Sequence, residues 1–540
     1  MPPTDEAMAK GGVVGGRSPA VPRSWFWQAS PGRNHDRGRV GGFVHTGPMT
    51  STADRLSTMA SSVLGGELPI RIRAWDGSKS GRAGGPVLVI NNRRALRRLV
   101  YSPGELGLAE AYVSGDVDVE GDLAEGLSTV WAANRSGRLA RPKLALTDYP
   151  RLAVGAVRLG ALGRRPPAPG EAAALRGRRH SRDRDRAAIA HHYDLSNDFY
   201  ELLLDESMAY SCAYFIDGPS GSLADAQRAK LDLVCRKLGL SQGKRHLDIG
   251  CGWGSLLCHA AEHYGTVSTG ITLSRAQYEF ISKRIADAGL GDLASVRLAD
   301  YREIAGTAAD QGAYDAVSTI EMGEHVGDAQ YPAFARILHD VLRPGGRAMI
   351  QQMSRGAVAA GGGAFIETYI APDMHMKPVG TTVSLVADAG LEVRDVHALR
   401  EHYQWTAQAW LRTLESRWDD AVAMIGEVGA RAWRLYLVGG GLAFAENRMG
   451  VDQILAVRPD ESGQTYMEPS RRGWEGRPAG GMAAAPAASN RTASSYRRAV
   501  PGAARQNGSL DRLVRQADYR SGGEGRSRTM ASWTSPQARS

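Results

Sequence analysis

The sequence predicts an α/β fold built on a doubly wound, mostly parallel sheet, and two patterns indicate it. In the first, a short apolar strand ends at Ile249 and leads into glycines at every second position, Gly250, Gly252 and Gly254. A helix then begins at Ser255, where its free N–H groups and positive dipole end face the turn. In the second, strand and helix patterns alternate through the rest of this region. Together they place a nucleotide-binding crevice at the turn.

The spacing of the glycines argues against a dinucleotide. A dinucleotide fingerprint reads GxGxxG, whereas this turn reads GxGxG and follows Asp248. Glycine is needed where the backbone turns tightly and comes close to a ligand. The spacing resembles the first motif of S-adenosylmethionine-dependent methyltransferases, although a tight turn of this kind can also close any α/β crevice.

The other elements of the predicted sheet follow in order. Ser274 precedes a helix and has Gln277 three residues later, which is the pattern of a capping box. A further helix covers 331–341. Apolar strand patterns recur at 267–271, 295–298, 314–320 and 347–353.

Composition divides the chain into five segments. Gly, Pro, Arg and Ser dominate both ends without a period, which is typical of disorder. Alternating apolar and polar residues at 70–74 and 117–119 indicate strands of a small first domain. The predicted segments are a disordered tail (1–61), a small α+β domain (62–135), a basic linker or amphipathic segment (136–186), the main domain (187–458) and a disordered basic tail (459–540).

The middle segment has two interpretations. Leu152, Ala156 and Leu159 fall on one helical face and are surrounded by arginines. Such a basic amphipathic stretch can lie on an anionic membrane surface. The alternative is a solvated linker of mixed charge, and a lipid substrate would favour the membrane.

The net charge of +9 is carried by the two tails. Residues 1–48 hold six Lys or Arg against three Asp or Glu, and residues 459–540 hold thirteen Arg against seven Asp or Glu. Residues 49–458 are therefore formally neutral, which argues against nucleic acid as a partner. The four cysteines form no CxxC pair, so we expect reduced thiols, no metal site and a cytoplasmic protein.

The second strand of the predicted sheet lacks the acidic residue that holds ribose hydroxyls in many such crevices. The sequence at its end is GITLS, so Thr272 and Gln277 are candidates for hydrogen bonds to a cofactor. After the third strand, Tyr301 could stack on an adenine or simply cover the edge of the sheet.

Four motifs in order make the chain resemble the cyclopropane-fatty-acyl-phospholipid synthase family, which includes the mycolic acid cyclopropane synthases. They are YSCAYF (210–215), LDIGCGWG (247–254), TLSRAQ (272–277) and MGEHVG (322–327). The resemblance covers roughly 62–458 and implies a Rossmann-like, class I methyltransferase sheet of seven strands. QQMS (351–354) and FIETYIAPDMHM (365–376) resemble the actinobacterial branch that forms 10-methylene chains later reduced to 10-methyl.

The resemblance also implies the site residues. Those placed on S-adenosylmethionine are Tyr210, Ser211, Asp248, Gly250, Gly252, Gly254, Thr272, Leu273, Gln277, Tyr301 and Arg302. Family members bind bicarbonate beside the transferred methyl, and its surroundings correspond here to Cys212, Glu324 and Tyr403. Gln351 replaces the family's histidine and cannot carry a proton in the same way. Gly440 replaces a cysteine of some members.

The implied reaction transfers the methyl of S-adenosylmethionine to a cis double bond of a phospholipid acyl chain. The resulting carbocation would be stabilised by aromatic faces, for which Tyr193, Tyr210, Tyr369 and Trp405 are candidates. Proton loss then gives a cyclopropane or a methylene branch, and the latter would call for a separate reductase. We expect a peripheral protein at the inner membrane face, with a homodimer possible. The alternatives are a small-molecule methyltransferase of the same fold or an inactive lipid- or cofactor-binding relative.

Overall fold

The computed structural model describes residues 51–139, 148–170, 177–185, 197–304, 306–356 and 363–475. These residues form one four-stranded sheet near the N-terminus and one seven-stranded sheet in the main domain. None of the helices in these ranges combines the length and the apolar character that crossing a bilayer requires.

The small sheet has the strand order β2-β1-β3-β4. Its strands are β1 (Arg71–Arg73), β2 (Lys79–Ser80), β3 (Val87–Ile90) and β4 (Val117–Glu120). The helices packed with it are α1 (Thr52–Leu64), α2 (Arg94–Tyr101), α3 (Glu105–Val113), α4 (Leu123–Arg135) and α5 (Asp148–Arg158).

Two predicted boundaries of this domain need correction. Helix α1 begins ten residues before the predicted start at 62, because Ser51 caps it and Ala53 and Leu56 are buried in the small core. Helix α5 lies in the predicted linker, yet Leu159 and Ala161, just beyond it, join the same core. The apolar face of the predicted amphipathic segment therefore partly covers the core of the small domain.

The large sheet has the order β10-β11-β9-β8-β5-β6-β7, and within it only β11 runs antiparallel to its neighbours. This confirms the predicted doubly wound, mostly parallel sheet of seven strands. The strands are β5 (Arg245–Ile249), β6 (Val267–Thr272), β7 (Ala294–Leu298), β8 (Tyr314–Ile320), β9 (Leu342–Ser354), β10 (Glu392–Ala398) and β11 (Gly450–Val457).

Helices cover both faces of the large sheet, as a parallel sheet requires. One face packs against the helices Leu223–Leu238 and Ser255–Tyr264, and the other packs against the helices Tyr331–Val341 and Val379–Asp388. The helices of the main domain are α6 (Asn197–Leu203), α7 (Leu223–Leu238), α8 (Ser255–Tyr264), α9 (Arg275–Asp287), α10 (Tyr301–Ile304), α11 (Tyr331–Val341), α12 (Ala364–Tyr369), α13 (Val379–Asp388), α14 (Arg400–Ser416), α15 (Trp418–Ala445, kinked at Gly426) and α16 (Arg472–Glu475).

The small domain is attached to the main domain through Arg431 of α15. Its guanidinium donates to the carbonyl oxygens of Tyr112 (2.8 Å) and Val117 (3.1 Å) and lies over the Tyr112 ring. Apolar side chains of α3 and α4 pack against α12 and α15 around this contact. The two domains thus share a core as well as a linker.

The predicted end of the main domain at 458 is too early. Met467 and Trp474 are buried against α7 and α8 in the core on one face of the sheet. Arg471 adds an ion pair of 2.6 Å to Asp395 of β10. Composition did not predict that this segment packs on the main domain, because only Met467 and Trp474 supply its apolar contact.

We predict that Trp474→Ala lowers the free energy of unfolding by about 3 kcal/mol, because a large buried ring would leave a cavity. The matched control is Tyr466→Ala, since Tyr466 is 74% exposed, and its cost should stay near 0.5 kcal/mol. Urea unfolding followed by circular dichroism measures both values. Equal small losses in the two variants would show that the segment does not pack on the domain.

Candidate active site

The glycine turn after β5 forms the floor of a cavity. Gly250 and Gly252 have φ values of 76° and 55°, which favour glycine. A Cβ on Gly250 would lie 3.0 Å from Met322, whereas one on Gly252 would meet nothing within 4 Å. The backbone can therefore approach a ligand closely at this turn.

This first cavity lies at the carboxyl ends of β5, β6, β7 and β8, where an open α/β sheet binds its ligands. All of the residues predicted to contact the cofactor line it except Gly254. Gly254 instead packs against Ile281, and a Cβ there would lie 3.2 Å from that side chain. Its role is to begin α8.

Gln277 lines the first cavity and carries an unused donor. The Thr272 hydroxyl donates to Gln277 Oε1 at 2.7 Å, and Ser274 Oγ accepts from the Gln277 backbone N–H. The predicted capping box is thus only half formed, because the Gln277 side chain turns to Thr272. Its Nε2 is buried and has no hydrogen-bond partner among the described residues. Such a group is costly unless a ligand accepts from it.

Two buried charged groups line the same cavity. Asp248 accepts from Ser318 Oγ at 2.6 Å, and burial raises the pKa of its carboxyl to about 6. Lys230 donates to Ser211 Oγ at 2.8 Å. Burial lowers the pKa of Lys230, and the nearby Glu321 and Asp248 carboxylates oppose that effect.

The segment 177–185 of the predicted linker closes one side of the cavity. Arg302 donates to Asp300 and also to Asp185 (3.0 Å), which itself lines the cavity. Arg184 holds Asp373 with a second bidentate pair. Arg302 therefore fixes the wall. Tyr301 also lines the cavity and packs edge-on against Phe334 at 5.2 Å.

The predicted anion site contains a carboxylate of the protein itself. Cys212 N–H and Gln351 Nε2 donate to Glu321 Oε1 at 2.7 and 2.9 Å, and Tyr403 Oη donates to Glu321 Oε2 at 2.5 Å. Glu321 lies deep in the fold, and its accessible part borders the first cavity. Burial raises the pKa of Glu321, and the three hydrogen bonds oppose that effect.

Glu324 does not join this group, contrary to the prediction. It is 1% exposed, lines neither cavity, and neither of its carboxyl oxygens has a hydrogen-bond partner among the described residues. Burial and the neighbouring Glu321 charge raise the pKa of Glu324 to about 8. It is therefore mostly protonated at neutral pH.

Cys212 contributes its backbone rather than its thiol. The Sγ donates to the carbonyl oxygen of Ala213 at 3.3 Å, and burial raises the pKa of the thiol well above its usual value. A thiol in this state is a poor nucleophile and a poor base. Because Glu321 already takes the donors of Cys212, Gln351 and Tyr403, these residues do not fit a free bicarbonate ion.

A second, mostly apolar cavity adjoins the first. Tyr403 lies in its wall while its hydroxyl reaches Glu321, and the Tyr210 and Tyr436 hydroxyls lie 3.1 Å apart across the same boundary. A Cβ on Gly440 would meet nothing within 4 Å, so this position leaves space open. The lining residues are Met353, Ile366, Met374, Tyr403, Ala407, Trp410, Tyr436, Leu437, Gly440, Phe444 and Met449.

The predicted carbocation-stabilising residues lie mostly elsewhere. Tyr193 lies outside the described residues. Tyr369 donates to Glu110 of the small domain at 3.1 Å, and Trp405 packs on Phe215. Neither of these two residues lines the first or the second cavity, so Tyr210 is the one candidate of the three described that stands at the site.

Comparison with protein-family models assigns the chain to a family. Residues 180–454 match the model of mycolic acid cyclopropane synthetase. The chain belongs to this family. It is an S-adenosylmethionine-dependent methyltransferase, as the motifs predicted, and the open glycine turn and Gln277 Nε2, which has no partner among the described residues, fit that cofactor. Residues such as Gln277 and Lys230 would hold it, and it supplies an electrophilic methyl group on a sulfonium.

The relatives extend beyond the matched region. The chain is 36% identical over 424 residues to the probable fatty acid methyltransferase Rv3720 of Mycobacterium tuberculosis, covering 76% of this chain and 96% of that protein. It is 34% identical over 403 residues to a probable fatty acid methyltransferase of Pseudomonas putida, covering 73% and 93%. Among solved structures, the cyclopropane synthase MmaA2 from Mycobacterium tuberculosis matches at 28% identity with a TM-score of 0.47, covering 50% of this chain and 97% of that one.

We predict that Gln277→Leu weakens S-adenosylhomocysteine binding roughly tenfold, about 1.4 kcal/mol, because the donor facing the first cavity is lost. Arg275→Ala on the same helix is the control, since Arg275 is exposed and should bind normally. Isothermal titration calorimetry gives both dissociation constants. Unchanged binding by Gln277→Leu would mean that its amide does not contact the ligand.

Proposed function

We propose that the protein transfers the methyl of S-adenosylmethionine to the cis double bond of an unsaturated acyl chain on a phospholipid, giving a cyclopropane or a methylene-branched product. The observation that carries the proposal is the apolar second cavity, which meets the first cavity at Glu321 and Tyr403. An apolar chain reaching this boundary would place its double bond beside the methyl donor. Positioning of this kind supplies much of the rate in such a transfer.

The aromatic side chains of the second cavity suit a cationic intermediate. Tyr403 and Phe444 stack with ring centroids 4.4 Å apart, and Tyr210 lies 5.2 Å from Trp410. Each aromatic face that meets a cation contributes about 0.5–2 kcal/mol. We propose these rings for the role that was predicted for Tyr369 and Trp405.

The relatives' names support an acyl substrate. Two are described as probable fatty acid methyltransferases, and a third, 31% identical over 77% of this chain, is the tuberculostearic acid methyltransferase UfaA1 of Mycobacterium tuberculosis. By this likeness we infer a methyl- or methylene-branched product, which would bring a separate reductase into the pathway.

We further infer that the protein works at the inner face of the membrane as a peripheral protein. Around α5, Val154, Val157 and Leu162 are 49%, 50% and 61% exposed. Arg158 and Arg164 are exposed in the same stretch. Exposed apolar side chains beside arginines suit an anionic lipid surface.

The test is mass spectrometry of acyl chains after incubation of the protein with S-adenosylmethionine and vesicles that contain oleoyl phospholipid. We expect a gain of one CH₂ per modified chain, and fragmentation separates a ring from a methylene branch. Intact cofactor binding without any gain would contradict the proposal and favour a small-molecule substrate or an inactive relative.

We predict that Gly440→Leu lowers kcat/KM for oleoyl phospholipid by roughly tenfold or more, because its side chain would fill the second cavity and displace the chain. Binding of S-adenosylhomocysteine should be unchanged, since Gly440 does not line the first cavity. Gly440→Ala is the control and should keep most of the activity. Equal activity in both variants would show that the acyl chain does not use this cavity.

A further inference from the structure

We propose that Glu321 is the catalytic base of the reaction and that it takes the place of a free bicarbonate ion. The substrate in this inference rests on the proposed function. The claim that Glu321 occupies the site expected for bicarbonate depends only on the chain itself. The donors that the family resemblance assigns to the ion converge instead on one side chain.

The hydrogen bonds of Glu321 match what a planar anion would receive. A bicarbonate presents two oxygens to donors in the same plane, and so does a carboxylate. Glu321 Oε1 receives Cys212 N–H and Gln351 Nε2, and Oε2 receives Tyr403 Oη. A free ion could bind these donors only if the Glu321 side chain left.

The position of Glu321 suits a base at the reacting carbon. Its carboxylate borders the first cavity, and the Tyr403 hydroxyl bound to it belongs to the wall of the second. The other acids of the first cavity are engaged elsewhere. Asp185 and Asp373 pair with arginines, and Asp248 accepts from Ser318 on the central strands.

The backbone at Glu321 is strained, which indicates that the side chain is held for a purpose. Its φ is 52°, in the left-handed region that favours glycine. Its N–H donates to the Gln351 carbonyl oxygen at 2.6 Å, which keeps this conformation in place. Strain of this kind in a non-glycine residue is concentrated at functional sites.

The proposed step balances with the groups named. The π electron pair of the alkene forms the new carbon–carbon bond while the carbon–sulfur bond breaks and leaves its pair on sulfur. The chain then carries a cation on the adjacent carbon. Glu321 removes a proton from the new methyl, and the released C–H pair closes the ring on the cationic carbon. For a methylene branch, a hydride first moves from the methyl-bearing carbon to the cationic carbon, and the methyl C–H pair then forms the C=CH₂ bond as Glu321 takes the proton. The proton rests on the Glu321 carboxyl and returns to water through the first cavity.

Charges around Glu321 keep it ready to accept a proton. The positive charge of the buried Lys230 lowers the pKa of Glu321 and so favours its ionised carboxylate. Glu324, the other acid close by, is mostly neutral at pH 7 because the pKa of its carboxyl is raised to about 8. It therefore adds little repulsion to the Glu321 charge.

The first experiment compares Glu321→Gln and Glu324→Gln with the parent protein on oleoyl vesicles in buffer depleted of CO₂ and in buffer with added bicarbonate. We expect the parent to be equally active in both buffers. Glu321→Gln should lose about 100-fold or more of its turnover, the contribution of a positioned base. Its S-adenosylhomocysteine affinity should stay within about threefold of the parent value, which separates a lost base from a damaged cofactor site.

A third variant, Glu321→Gly, tests the hydrogen-bond geometry directly. Glycine suits the φ of this position, so the variant should fold, and removal of the side chain leaves the three donors free. We expect ¹³C-labelled formate or bicarbonate to bind to Glu321→Gly but not to the parent or to Glu321→Gln. The same anions should restore at least about tenfold of the lost turnover in Glu321→Gly.

Any of four results would overturn the proposal. They are bicarbonate-dependent activity or labelled-anion binding at this site in the parent protein, turnover retained by Glu321→Gln, and loss of turnover in Glu324→Gln alone. The labelled-anion measurement needs no lipid. It therefore tests whether Glu321 occupies the bicarbonate site even if the parent protein fails to modify oleoyl chains. That failure would count against the proposed function instead.

Discussion

Glu321 carries a carboxylate deep in the fold, and its three hydrogen bonds connect the parts of the chain that build the site. The donors come from the loop before α7, from β9 and from α14. A carboxylate away from bulk water is costly unless it is hydrogen-bonded. All three parts must therefore be in place at once, and the antiparallel strand β11 helps, because Gln453 donates to Gln351 Oε1 at 2.9 Å and orients its amide.

The same residue separates two cavities of different character. The first cavity carries charged and polar groups on its walls, Lys230, Asp248 and the Gln277 amide, and it suits a charged cofactor. The second is lined by methionines and aromatic rings and suits an acyl chain. Hydroxyl contacts of Tyr403 with Glu321 and of Tyr210 with Tyr436 lie between the two cavities.

Much of the fold could be predicted from the sequence, because periodicity and glycine spacing are local signals. Strand β8 and helix α11 lie at their predicted bounds, and the glycine turn sits where β5 ends. The domain limits were harder, because Leu159 and Trp474 are single apolar residues in polar surroundings that pack only through tertiary contacts.

The candidate site was predicted in part. Cys212, Gln351 and Tyr403 come together although they are far apart in the chain, which the motifs implied. Glu321 was missed because the motif was taken to begin one residue later, at Met322. The available signal was its place directly after a parallel strand, where ligand-facing groups gather. Trp405 was misplaced because a sequence does not show which aromatic ring faces a cavity.

The most direct test of the central role of Glu321 is a crystal structure of the protein with S-adenosylhomocysteine, grown in the presence of bicarbonate. We predict that the Glu321 carboxylate lies within hydrogen-bond distance of Cys212 N–H, Gln351 Nε2 and Tyr403 Oη, with no ion between them. A Glu321 side chain turned away, with a planar anion held by those three donors, would contradict it.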